Sequence, residues 1–171
     1  MEIAPTHAAA RPAGLAARVI ETWALLGGVL LLGIALMTTW SAFSSTVFDK
    51  PLQGDVEMVE MWTAVSVFMF LPYCQLTGAN VTADIFTSGA GPRTVALLSL
   101  LSAVIALAFS VLLLWRMYLG FLDYRKYVET TTILHVPIWW AYIPSLVSLV
   151  LLTLASLISV RDALRDRKST S

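Results

Sequence analysis

The chain has 171 residues, of which 58% are hydrophobic and 13% charged, and its 11 basic side chains are balanced by 11 acidic ones. An ordinary soluble domain is about 45–50% apolar and about 25% charged, and a globule this small has too little interior to hide the difference. The zero net charge gives no basis for a nucleic-acid partner, and the single cysteine, Cys74, excludes an internal disulfide framework or a thiolate metal cluster within one chain.

Lipid is the solvent that tolerates such a surplus of apolar surface. Residues 1–20 are too polar for the core of a signal peptide, and the apolar stretch that follows is too long for one, so it is expected to be retained. In the tail, Leu15, Val19 and Ile20 form one apolar face with Arg11 and Arg18 opposite, which suits a short interfacial helix. Pro5 and Pro12 fit a disordered tail equally well.

The first span is expected over 22–44, because no charge falls between Glu21 and Asp49. A second is expected over 58–79, a third over 94–118 and a fourth over 137–160, with no Asp, Glu, Lys or Arg between Glu60 and Asp84, Arg93 and Arg116, or Thr130 and Val160. Each supplies the ~20 residues that a helix needs to cross about 30 Å of hydrocarbon. Backbone groups in lipid must pair internally, so the segments are predicted to be helices, and the alternating pattern of a β-barrel is missing. The fold class is therefore all-α, an integral membrane domain over 21–161 followed by a basic tail at 162–171.

Basic residues set the orientation. Arg11, Arg18, Arg93, Arg161, Arg165, Arg167 and Lys168 fall on one side, and Lys50, Arg116, Arg125 and Lys126 on the other. That bias predicts both termini in the cytoplasm and an acidic first outer loop containing Asp49, Asp55, Glu57 and Glu60.

Several side chains stand out within the spans. Pro72 and Pro144 predict kinks in the second and fourth helices. Pro137 reads as a first-turn proline, and Trp139, Trp140 and Tyr142 as anchors at the headgroup level. On the fourth helix Ala141, Ser145, Ser148, Ser156 and Ser159 share one face, which suits close packing within the chain or on a partner more simply than a serine-lined substrate path. Arg116 can snorkel outward, with Asp123 on the same side, and Cys74 is a small apolar filler.

Chemistry is scarce. None of the spans has a central ionisable group, which a carrier or a proton relay would need; Glu21 sits only at the mouth of the first. His7 and His135 are misplaced for haem ligation inside the membrane. No phosphate loop, metal-ligand spacing or nucleophile elbow occurs, and Gly89, Gly91 and Pro92 mark a turn. No catalytic residue, metal or cofactor is expected. Glu57 and Glu60 suit the positive N-terminal end of the second helix and are candidate partner contacts at the outer face. Asn80 and Asp84 would cap its far end, where a carboxylate invites a cationic partner.

Two runs carry a family likeness. One is Gly54-Asp55-Val56-Glu57-Met58-Val59-Glu60, continuing through Leu71-Pro72-Tyr73-Cys74-Gln75 to Gly78-Ala79-Asn80-Val81-Thr82-Ala83-Asp84. The other is Val136-Pro137-Ile138-Trp139-Trp140-Ala141-Tyr142-Ile143-Pro144. With the four-span plan, from about Glu21 to Arg161, the chain resembles the small membrane subunit of tripartite ATP-independent periplasmic (TRAP) transporters. It departs from the family where many members have a Glu-Glu pair, of which Glu57 alone aligns, and where Asn80 replaces a common His. The arginine frequent after the first helix is also missing from Ser44-Ser45-Thr46-Val47-Phe48.

The resemblance implies a scaffold role in a bacterial inner-membrane importer. A periplasmic binding protein would capture an organic anion, of carboxylate or sialic-acid-like type, and a large membrane subunit would move it on a sodium gradient. Glu57, Glu60, Asn80, Asp84, Ser145, Ser148 and Ser156 are then the candidate partner contacts. A free-standing small carrier and the membrane anchor of a redox enzyme are the competing expectations.

Overall fold

A computed structural model describes residues 14–50, 52–77 and 92–169. Four helices occupy nearly all of them: α1 (Leu15–Phe48), α2 (Asp55–Leu76), α3 (Pro92–Tyr127) and α4 (Trp139–Ser169). All four are long and apolar enough to cross a membrane. At 34 and 36 residues, α1 and α3 are about 50 Å long, well beyond a hydrocarbon core of about 30 Å, and so tilt or project from it.

The helices begin and end at other residues than the expected spans, and two of these differences bear on local structure. Residues 15–20 are the opening turns of α1 rather than a separate interfacial helix, because no proline interrupts the chain between Leu15 and the apolar run; Ile20 is among the most buried side chains. The fourth helix opens at Trp139, not Pro137. Pro137 pairs with Thr130 in an isolated antiparallel bridge, and its carbonyl accepts the N–H of Trp140 at 3.2 Å. Helices α2 and α4 continue through Pro72 and Pro144, and Pro72 is fully buried.

The helices pack in a row. α1 lies on α2, α2 on α4, and α4 on α3, so α1 and α3 form the edges. The interior is built from Ile20, Ala24 and Ile34 of α1, Val65 and Met69 of α2, Ala103 of α3, and Leu149, Leu152 and Ala155 of α4. Where α1 crosses α2 the backbones come close: a Cβ on Gly27 would lie 2.8 Å from the Cβ of Met69. Without a hydrophobic force between helices in lipid, such contacts supply the association energy.

Most hydroxyls inside the spans are satisfied by their own helices, which suits a lipid environment. Thr38 donates to the Ile34 carbonyl, Ser66 to Trp62, Ser145 to Ala141 and Thr153 to Leu149, all at 2.8–2.9 Å. One bond joins distant helices, from the Trp23 indole N–H to Ser148 Oγ at 2.9 Å.

A loop clasp and an acid-rimmed cleft

The loops at residues 49–54 and 128–138 meet at one end of the row. Helix α1 closes on Asp49 in the left-handed conformation, φ 53°, which aspartate tolerates. Ser41, near that end, receives the Leu52 N–H at 3.3 Å and donates its own proton to Asp55 Oδ2, tying the first loop to the start of α2. Gly54 then caps α2 with φ 77° while Leu134 of the second loop fills the space a Cβ would take. Only glycine meets both conditions.

Glu57 completes the clasp. Its carboxylate accepts the N–H groups of Ile133 at 2.8 Å and Leu134 at 3.2 Å, charge-assisted bonds stronger than neutral ones. The second loop is folded back on itself by Thr131 N–H to Val136 O, Ile138 N–H to Glu129 O, and Val136 N–H to Thr131 Oγ1, at 3.0–3.1 Å. It turns at Val128, φ 48°, and His135, φ 54°. A β-branched residue held there is strained.

Beneath the second loop, α2, α3 and α4 leave an open cleft of about 480 Å³. Glu57, Glu60 and Thr130, Thr131 and Thr132 form its rim; Met61, Ala64, Val65, Phe68, Met117, Ile138 and Ala141 form mostly apolar walls, with Tyr142 and Ser145 the polar side chains among them. From Glu57 to Phe68 the wall descends about 16 Å along α2. Tyr142, expected as a headgroup anchor, is half-buried in this wall; its ring lies 5.1 Å from Tyr124 and packs over Gly120. Trp139 stacks edge-on against Phe121 at 6.4 Å, and Trp140 keeps an exposed face.

The candidate residues thus separate. Glu57 and Glu60 come together at the rim, one engaged by the loop and the other exposed. Ser145, which also lines the cleft, Ser148 and Ser156 are buried within the chain, at 3%, 1% and 0% exposure. The reason is α4's central place in the row. Asn80 and Asp84 lie outside the described residues. Arg116 and Asp123 are exposed on α3, and Cys74 is half-buried and unoxidised.

Sequence reading missed the threonine rim, Met117 and the Trp23–Ser148 bond. Nothing local marks any of them, since each depends on which helices become neighbours. Among the described residues, no group of three or more His, Cys, Asp or Glu comes together in a way that would hold a metal ion.

Four helices long and apolar enough to cross a membrane, with serines as their buried polar side chains among the described residues, fit a multi-pass membrane protein. The family model for the DctQ component of the tripartite ATP-independent periplasmic transporters matches residues 34–166. The chain belongs to that family and is a small membrane subunit of a TRAP transporter. No curated protein and no solved structure matches it.

Proposed function

We propose that this subunit is the fixed frame of an importer, broadening and anchoring a large membrane subunit that carries out the movement. In this reading a periplasmic protein delivers an organic anion of carboxylate type, a sodium gradient drives entry, and the complex sits in the bacterial inner membrane. Both termini and the basic 162–171 tail face the cytoplasm, and Glu60, Asn80 and Asp84 contact partners.

The observation that carries the proposal is the composition of the interior. Ser41, Ser66, Ser110, Ser145, Ser148 and Ser156 are its buried polar side chains among the described residues, and none is ionisable. Transport of an anion with a coupled cation needs groups that hold charge at depth, and neutral serine hydroxyls, most of them bonded to their own helices, offer little. The cleft is also wrong for an organic anion, because its rim is acidic.

Purification in mild detergent after co-expression tests this. A stable complex with the large membrane subunit is expected, and vesicles containing this chain alone should take up no solute. Uptake by the chain alone would overturn the proposal.

A further inference from the structure

We infer that the cleft between α2, α3 and α4 is a socket for a basic side chain, lysine or arginine, of the large membrane subunit. The inference rests on the frame reading above and adds to it the chemistry of one contact.

The two carboxylates at the rim differ. Glu57 is committed to the N–H groups of Ile133 and Leu134. Glu60, one turn further along the same face, is exposed and has neither a hydrogen bond nor an ion pair among the described residues. It lies five residues into α2, about 7.5 Å from the helix start, above walls of Met61, Ala64, Val65, Phe68, Met117 and Ile138. Any polypeptide that docks on those apolar walls covers Glu60 and strips its water. An uncompensated carboxylate in such a place is costly, so the covering surface must bring a cation.

This chain does not supply that cation. No basic side chain is among those lining the cleft, and Arg116, beside Met117 in sequence, is exposed instead. A lysine or arginine fits the shape of the need. Its methylene stem lies along apolar wall while its head reaches the carboxylate and the hydroxyl rim of Thr130 and Thr132. The volume of about 480 Å³ also leaves room for apolar neighbours of that residue on the partner helix. A cationic knob set in an apolar helix face is therefore the complementary surface.

The test uses the co-expressed complex. Glu60→Gln should weaken retention of the large subunit by about tenfold or more, the loss typical of removing one member of a desolvated charge pair, and Glu60→Asp should restore part of it. A photoreactive benzoylphenylalanine in place of Ala64, in an otherwise unaltered chain, should link to a large-subunit peptide that contains lysine or arginine. Wild-type retention by Glu60→Gln, or adducts only on lipid, on a second copy of this chain or on the periplasmic protein, would overturn the socket while leaving the frame intact. Failure of the unaltered chain to form any complex would instead remove the frame reading itself.

Discussion

Three glycines on α1 allow the packing of that helix to be measured with a single kind of substitution. A methyl group at Gly27 would meet the Cβ of Met69 at 2.8 Å, at Gly28 only the tip of Phe70 at 4.0 Å, and at Gly33 nothing within 4 Å. The obstacle at Gly27 is the root of a side chain on a neighbouring helix, so no rotamer change relieves it, and α1 must withdraw from α2 by about 1 Å to reach ordinary contact. Gaps of that size forfeit a quarter to a half of each dispersion contact along the seam. Overpacking of this kind costs about 1–3 kcal/mol, offset by about 0.5–1 kcal/mol from replacing glycine in a helix. Gly27→Ala should therefore destabilise by about 1–2 kcal/mol, or about 2–8 °C in Tm for a chain this size. Gly33→Ala should raise stability by up to about 1 kcal/mol, with Gly28→Ala between them. Thermal unfolding of the three variants in one detergent gives the order. If Gly27→Ala proved as stable as Gly33→Ala, the close crossing of α1 and α2 would be wrong.

Removing the Glu57 carboxylate with Glu57→Ala should release the second loop, speeding amide exchange at Ile133 and Leu134; unchanged exchange there would refute the clasp. Ser148→Ala strands the Trp23 indole N–H and should cost about 0.6–1.7 kcal/mol. A double-mutant cycle with Trp23→Phe checks that the two effects are shared rather than additive. Ser156 is buried with no partner for its hydroxyl, so Ser156→Ala should be neutral or stabilising in the same unfolding assay, and a loss above about 1 kcal/mol would mean that the hydroxyl has an unseen role.

The helical plan was readable because charge-free stretches of membrane-crossing length have one solution in lipid. The serine spacing on α4 was readable too, as a buried face, since a 3.6-residue period places Ser145, Ser148 and Ser156 on the packed side. What filled the other side of that interface was not. Ser148 bonds Trp23 from 125 residues away, and only the order of helices in the row brings them together. The loop clasp was hidden for a different reason. The turns of its second loop fall at Val128 and His135 rather than at glycine or asparagine, so the residues that usually announce a left-handed turn are missing there. Glu57 was legible as a helix-start carboxylate, but the dipole argument finds the helix's own amides and not those of a distant loop. Pro137 misled similarly: a proline two residues before a helix looks like one inside its first turn until its bridge to Thr130 is seen.

The placing of α2 between α1 and α4 has a consequence for synthesis. Glu57 and the donor N–H of Ile133 are 76 residues apart, a distance the ribosome covers in about 4–15 s. For that interval the first helical hairpin waits in the bilayer with one flank bare, held by the close crossing at Gly27 and the Ser41 bonds to Leu52 and Asp55. Lipid, insertion machinery or a neighbouring protein occupies that flank until the last helix arrives to displace it.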